Sequence, residues 1–302
     1  MNLSLNKNTI RLLTGLVIGL TALWCLLYGG IALLILISVF VYVGTKEYVL
    51  ILQNKGFYPS LKVILASDAI FAMLAYFNRF DLIAIAFTIC SISAFMWVLF
   101  RGRQPYIANV STTILGFVYG GWFPLHLLLV RGLNAENYHG FLKLNIQNDG
   151  LGYVIFLFVT ILLTDTGCYY FGRKFGKHKL SPIISPQKTV EGAIGGAICA
   201  IAGAIIVGYF IHLGFYHSLI LGALCTIFAQ IGDLCESLIK RDAGVKDSGN
   251  TLPGHGGFMD RADSYVFTIP VMFYYLKYFV VSEQLWLDFI NFIKVFFHAL
   301  GF

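Results

Sequence analysis

Long apolar stretches dominate the hydrophobic pattern of the 302-residue chain, and short polar connections separate them. A helix needs about 20 mostly apolar residues to cross the hydrocarbon core of a bilayer. The pattern contains about nine such stretches, so we expect about nine membrane-spanning helices. The predicted spans are 11–28, 30–45, 61–77, 82–100, 107–130, 151–171, 192–213, 217–239 and 264–281. A further apolar stretch, 285–300, carries three ionisable residues and is expected to lie on the membrane surface.

The composition supports this interpretation, because 58% of the residues are hydrophobic and only 12% are charged. Soluble domains carry about 25% charged residues. The six cysteines form no CxxC pair and lie in or beside apolar stretches, so we expect buried free thiols. The predicted fold class is an all-α, polytopic integral membrane protein.

The N-terminus resembles a secretory signal peptide, because Lys7 and Arg11 precede an apolar core. Trp24 stands where a cleavage site requires small residues, so we expect a retained first span. If the N-terminus is cytosolic, the nine spans place 16 of the 21 Lys and Arg residues on the cytosolic side. The positive-inside rule favours that orientation.

Small residues spaced four apart predict close contacts between helices. The stretch 192–208 is also rich in Gly and Ala, so we expect this helix to be buried among others. The three pairs of small residues are Gly15 and Gly19, Gly116 and Gly120, and Gly192 and Gly196.

Eight of the 15 acidic residues lie between positions 165 and 263, together with the two densest basic clusters. Ionisable residues within spans are costly and mark function. We therefore predict a region of about five spans, 1–150, followed by a catalytic membrane region, 151–302, whose active site faces the cytosol. Within it, Asp165 lies near the cytosolic end of a span, as a ligand or a hydrogen-bonded helix-end group.

A second segment, 185–192, leads into the Gly-rich helix. Ser185 or Thr189 is placed to cap that helix, and Glu191 suits its positive end. Lys188 lies beside the same helix N-terminus, which is a favourable place for a phosphate group. Capping and phosphate binding are compatible here.

The third segment, 232–263, carries the strongest signal. Its first part predicts a helix, its Gly-rich middle predicts a loop over 242–257, and Asp260 and Asp263 lie three apart on a new helix. Carboxylates suit Mg²⁺, and Lys and Arg suit a polyphosphate. Spacing places four polar side chains on one face of the first helix, namely Asp233, Ser237, Lys240 and Arg241.

This segment closely resembles the phosphatidate cytidylyltransferases, also called CDP-diacylglycerol synthases, and the resemblance extends over roughly 160–270. Ala262 departs from the family, which usually has a larger apolar residue there. The matching positions are Ser237, Lys240, Arg241, Lys246, Asp247, Leu252, Pro253, His255, Gly256, Gly257, Asp260, Arg261 and Asp263.

The resemblance implies that CTP reacts with phosphatidate to give CDP-diacylglycerol and pyrophosphate, in phospholipid biosynthesis. It also leads us to expect a homodimer and no nucleic-acid partner. The motif loop resembles the bacterial and plastid kind, so we expect a bacterial inner membrane, with an organelle membrane as the alternative. Asp233 and Asp260 are the expected Mg²⁺ ligands, because both lie at helix ends that flank the loop. Asp165, Asp247 and Asp263 are candidates for a second cation or for contacts around the first.

The other expected site residues bind the two anionic substrates. Lys188, Lys240 and Arg241 are expected to bind the triphosphate or the lipid phosphate. His255 is expected to orient a phosphate or protonate the leaving group, or else to make a loop hydrogen bond. The remaining expected substrate contacts are Ser185, Thr189, Ser237, Lys246 and Arg261.

Three other functions fit parts of the sequence. An ion-coupled transporter would use Asp68 together with Asp165, but no repeated halves are visible. A CTP-dependent lipid-alcohol kinase would transfer the γ-phosphoryl group and release CDP. A purely structural membrane protein would leave the charged segment without a role.

Overall fold

A computed structural model describes residues 7–133, 149–249, 251, 256–282 and 291, with side chains from residue 15 onward. His255 lies outside the described residues, as does the stretch 285–300 except for residue 291. The predicted catalytic and surface roles of these two features therefore stay predictions.

Each predicted span falls on a helical segment. A 3₁₀ turn, Phe80–Leu82, leads into α4, and the π-helical segment Gly116–Trp122 joins α5 to α6. A second π-helical segment, Leu276–Val281, extends α10. The helices are α1 (Lys7–Tyr28), α2 (Gly30–Asn54), α3 (Leu61–Tyr76), α4 (Ile83–Arg101), α5 (Tyr106–Leu115), α6 (Phe123–Arg131), α7 (Gly150–Phe175), α8 (Val190–Phe210), α9 (Phe215–Asp242) and α10 (Met259–Tyr275).

Within the described part of the chain, seven helical segments are long and apolar enough to cross a membrane. The apolar part of α1, Gly15–Tyr28, and the 16-residue α3 are shorter than this. The protein is therefore an all-α, multi-pass membrane protein, and the count of nine spans stays a prediction. Its described strands form one antiparallel hairpin, β1 (Lys179–Ser181) and β2 (Ser185–Thr189), between α7 and α8.

Glycines allow α7 and α8 to pack closely, as the spacing of Gly192 and Gly196 predicts. A Cβ added to Gly196 would lie 2.4 Å from Sγ of Cys168, and one added to Gly192 would lie 3.0 Å from Cα of Gly172. The expectation that α8 is buried on all sides is wrong, because isoleucines such as Ile198 are exposed on its other face. The face of α8 that carries Gly and Ala packs against α7, and the face that carries the exposed isoleucines is suited to contact lipid.

A buried carboxylate on α2 holds the start of α10 in place. Glu47 is 2% exposed, and its carboxylate accepts hydrogen bonds from the backbone N–H groups of Phe258 and Met259, both at 2.9 Å. The hydroxyls of Ser248, at 3.0 Å, and Thr251 also donate to it. The first N–H groups of a helix have no partner within the helix, so a carboxylate there satisfies them. Glu47 thereby ties the N-terminal spans to the loop and helix that carry the predicted motif.

We predict that Glu47→Gln lowers the thermal unfolding temperature of the detergent-solubilised protein by several degrees. The neutral amide has one acceptor oxygen and presents N–H groups to donors, and an unsatisfied buried donor costs about 1–3 kcal/mol. Unfolding followed by intrinsic fluorescence measures the shift. Asp81→Asn is the control, because Asp81 pairs with Arg79 at an exposed site. Such surface pairs contribute about 0–1 kcal/mol. Equal unfolding temperatures for the two variants would contradict this role of Glu47.

Candidate active site

Four helix ends meet at one end of the bundle. The C-terminal ends of α7 and α9 lie beside the N-terminal ends of α8 and α10, since α7 packs on α8, α8 on α9 and α9 on α10. N-terminal helix ends favour negative charge and C-terminal ends favour positive charge. The acids and bases that the sequence singles out are concentrated at this junction.

The hairpin between α7 and α8 brings a lysine to the junction. Lys188 lies on β2, and its Nζ is 2.5 Å from Oδ2 of Asp233 on α9. The next residue, Thr189, caps α8 as predicted, because its hydroxyl accepts a hydrogen bond from N–H of Gly192 at 3.2 Å. The cap and the ion pair together fix the hairpin relative to α8 and α9.

Side chains on both sides anchor this hairpin. The carboxylate of Glu191 accepts hydrogen bonds from the backbone N–H groups of Lys177, at 3.0 Å, and His178, at 3.2 Å. The guanidinium of Arg241 donates to the backbone carbonyl of Ile184 at 3.3 Å and to that of Val245 at 3.1 Å. Arg241 therefore supports two loops beside the junction.

Three predicted acids come together beside Lys188. Asp165 on α7 accepts a hydrogen bond from the hydroxyl of Ser264 at 3.4 Å, and Asp263 accepts one from N–H of Ser264 at 2.7 Å. Asp263 interacts electrostatically with both Asp165 and Asp233. Neighbouring carboxylates repel one another when they are ionised. The group therefore carries an excess of negative charge that favours a cation.

A second charged group surrounds Lys240. Its Nζ lies 2.5 Å from Oδ1 of Asp260 and 3.0 Å from Oε1 of Glu236. The other oxygen of Asp260 accepts hydrogen bonds from N–H and from the hydroxyl of Ser248, both at 2.9 Å, and from N–H of Gly257 at 3.3 Å. The loop that precedes α10 is thus held by Asp260 on one side and by Glu47 on the other.

The sequence predicts no role for Glu236, yet its side chain is completely buried and paired with Lys240. The i, i+4 spacing of these two residues on α9 was the available signal. Glu47 carried no such signal, since it belongs to a different helix and contacts residues more than 200 positions away.

The remaining described candidates lie around this cluster. Lys246 and Asp247 are exposed in the loop after α9, and Ser237 is half-buried on α9. Ser185 pairs with Ser181 in the hairpin, and Arg261 is exposed at the start of α10. Of the predicted acids, Asp165, Asp233, Asp260 and Asp263 lie at the junction, and Asp247 does not pair with them.

The carboxylate oxygens at the junction are chemically suited to bind a hard divalent cation. Five carboxylates face two ammonium groups at the junction, and Mg²⁺ prefers oxygen ligands. Among the described residues, no three His, Cys, Asp or Glu side chains are close enough together to hold a metal ion. Asp233 and Asp260 each lie 2.5 Å from a lysine ammonium instead, so a cationic group already lies beside both acids.

Comparison with known proteins identifies the family. The model of the Cytidylyltransferase family matches residues 9–279. A phosphatidate cytidylyltransferase of Staphylococcus haemolyticus is 33% identical over 272 residues, covering 87% of this chain and 96% of the relative. One from a Synechocystis species is 35% identical over 280 residues, covering 86% and 94%. One from Staphylococcus epidermidis is 48% identical over 128 residues, covering 42% and 49%. The chain belongs to the cytidylyltransferase family.

Proposed function

We propose that the protein transfers the cytidylyl group of CTP to phosphatidate, giving CDP-diacylglycerol and pyrophosphate for phospholipid biosynthesis. The observation that carries the proposal is the cluster of carboxylates and lysines at the end of a bundle of apolar helices. Such a site offers a polar nucleotide and a membrane lipid a common place to react. The family match and the names of the relatives support the same reaction.

The reaction requires positioning more than acid–base chemistry. An oxygen of the phosphatidate phosphate forms a bond to the α-phosphorus of CTP, and the bond from that phosphorus to the pyrophosphate oxygen breaks. The attacking oxygen is already an anion, so no strong general base is needed. Catalysis of this kind depends on alignment and on neutralising the charge of the phosphate oxygens.

We assign the neutralisation to the two lysines of the cluster. Lys188 and Lys240 each present an ammonium group at the junction of the four helix ends. Lys188 is half-buried and Lys240 is buried. A partly desolvated ammonium interacts more strongly with a phosphate than a hydrated one does. Arg241 stays a predicted phosphate ligand, and its contacts with two loop carbonyls support the hairpin that carries Lys188.

We propose Mg²⁺ as the cofactor, held by Asp233 and Asp260, with Asp165 and Asp263 available for a second cation. When bound, Mg²⁺ supplies positive charge to the phosphate oxygens of the nucleotide. The residues of the chain supply the rest, since the lysines bind phosphates and the Asp260 contacts with Ser248 and Gly257 order the loop. Asp247, which is exposed, stays a weaker candidate.

We further propose that the cluster faces the cytosol from a bacterial inner membrane and that the protein is a homodimer. The excess of Lys and Arg on that side of the predicted spans supports the orientation. The relatives named above come from bacteria, which supports the proposal of a bacterial membrane. The homodimer rests on the family resemblance.

The surroundings of Asp68, which an ion-coupled transporter would use, favour a structural role. Asp68 is buried, and its Oδ2 accepts a hydrogen bond from the hydroxyl of Thr45 at 3.2 Å, while its Oδ1 has no hydrogen-bond partner among the described residues. A Cβ on Gly121 would overlap the same carboxylate, so Asp68 packs directly against the π-helical segment. Asp68 therefore links α3 to its neighbouring helices, while Asp165 has its own partner in Ser264.

A product assay on the purified protein tests the proposed function. CTP labelled with ³²P at the α-position is supplied with phosphatidate and Mg²⁺. We expect the label to enter the lipid phase while pyrophosphate is released. Label that stays in water as CDP, with a lipid alcohol supplied as acceptor, would indicate the kinase instead. Absence of CTP turnover in a folded sample would contradict both.

We predict that Asp260→Asn lowers Mg²⁺-dependent turnover by about a hundredfold or more, because Asp260 would hold the Mg²⁺ ion that stabilises transition-state charge. The variant should still elute as a single folded species in detergent, because Glu47 continues to hold the start of α10. Asp81→Asn is the matched control at an exposed ion pair. Turnover like that of the wild type in Asp260→Asn would exclude the metal assignment.

We predict that Lys188→Ala lowers kcat/KM for CTP by about a hundredfold, because a charge-assisted contact to a phosphate is lost. Steady-state kinetics with varied CTP measure the effect. Lys62→Ala is the control, since Lys62 is exposed and lies over the ring of Trp97. Equal kcat/KM for both variants would show that Lys188 serves only to pair with Asp233.

A further inference from the structure

An apolar cavity of about 410 Å³ lies beside the charged cluster. Residues of α1, α2, α6, α7, α10 and the π-helical segment line it, and most of them are aliphatic or aromatic. Among the described residues of its lining, Arg261 is the one charged side chain. Pockets of this size are typical of small-molecule sites.

The depth of the cavity matches one leaflet of a bilayer. Along α10 its lining extends from Met259 to Ile269, which is about 15 Å at 1.5 Å per residue. Along α2 it extends from Tyr48 to Ile37, which is about 16 Å. The hydrocarbon core of a bilayer is about 30 Å thick, so one leaflet is about 15 Å. An acyl chain of a lipid in that leaflet fits this depth.

Helix α10 places the cavity next to the cluster. Arg261, Tyr265 and Ile269 follow one another at i, i+4 spacing and line the cavity. Asp260 lies on a different side of the same helix, where it pairs with Lys240 of α9. The polar head of an amphiphile whose chain lies in the cavity would therefore reach the charged cluster.

A buried hydroxyl lies at the boundary between the cavity and the cluster. Tyr119 lines the cavity and is 4% exposed, and its hydroxyl has no hydrogen-bond partner among the described residues. The same side chain interacts electrostatically with Glu236 and Asp263. A buried hydroxyl without a partner is costly. The π-helical segment that carries Tyr119 is a type of distortion that is frequent at functional sites.

Small residues on α1 provide part of this space. The spacing of Gly15 and Gly19 predicts close helix packing, but a Cβ added to Gly19 would meet no heavy atom within 4 Å. The prediction is therefore wrong for Gly19, which lines the cavity instead. A larger side chain at this position would enter the cavity without displacing a neighbouring helix.

We propose that this cavity binds an acyl chain of the phosphatidate substrate, taken from the leaflet on the side of the charged cluster, and that the Tyr119 hydroxyl donates to an oxygen of its head group. The inference rests on the proposed function, because it assigns a position to the lipid substrate of that reaction. Arg261 supplies the positive charge that an anionic head group requires at the mouth of the cavity.

Gly19→Leu tests the cavity. We expect the KM for dioleoyl phosphatidate to rise about tenfold, the loss expected for about two fewer buried methylene groups. The KM values for dihexanoyl phosphatidate and for CTP should stay unchanged, since neither needs the deep part of the cavity. Leucine is also a better helix former than glycine, so the variant should fold. Ala84→Leu, on an exposed face of α4, is the control.

Tyr119→Phe tests the head-group contact. The ring keeps its edge-to-face contact with Phe267, and only the hydroxyl is lost. We expect the KM for both phosphatidates to rise about tenfold, while the KM for CTP stays unchanged. Tyr42→Phe, at an exposed position, is the control. An unchanged KM for phosphatidate in Tyr119→Phe would overturn the contact.

Binding of labelled dioleoyl phosphatidate without CTP separates this inference from the proposed function. Weaker binding to Gly19→Leu than to the wild type and to Ala84→Leu supports the cavity. Equal binding and equal KM values in all three would overturn it and would leave only a structural lipid or detergent in the cavity. If the wild type binds this lipid more tightly than Gly19→Leu does but does not transfer the cytidylyl group, the proposed function fails and the cavity stays assigned as a lipid site.

Discussion

Acidic side chains that are wholly or partly buried at the ends of spanning helices require positive partners, and for Asp233 and Asp260 those partners come from other segments of the chain. A carboxylate in or near the hydrocarbon region is costly unless a positive group or several donors surround it. Glu236 is completely buried, and Lys240, with which it pairs, is 9% exposed. Lys188 reaches Asp233 only because the hairpin between α7 and α8 folds back over the junction. The positions of the hairpin, α9 and α10 follow from these pairings.

The N-terminal spans contribute to the site as well as to the membrane anchor. Glu47 of α2 holds the first N–H groups of α10, and the loop before α10 is shared between Glu47 and Asp260. The N-terminal end of α10 therefore depends on residues of both predicted regions, 1–150 and 151–302. The same helix separates the charged cluster from the apolar cavity.

Sequence alone predicts the features that depend on neighbours along the chain. The spans follow from apolar length, and the Thr189 cap follows from helix-start rules. Helical spacing places Asp233 with Lys240, and Asp260 with Asp263, while the rest of the motif follows from the family resemblance. Features that depend on packing between distant segments were missed. The role of Glu47 depends on its contacts with the start of α10, and Gly19, predicted from its spacing to be a packing glycine, lines open space. Tyr119 gave no signal, because its importance depends on the acids of other helices that surround it.

The proposed Mg²⁺ ligands, Asp233 and Asp260, belong to different helices that meet at this junction. Binding of Mn²⁺, a paramagnetic substitute for Mg²⁺, followed by electron paramagnetic resonance with CTP present, tests this proposal. We predict that the wild type and Asp81→Asn bind Mn²⁺ equally and that Asp233→Asn binds it much more weakly. Folded Asp233→Asn that binds Mn²⁺ as tightly as the wild type would contradict the assignment of Asp233 as a metal ligand.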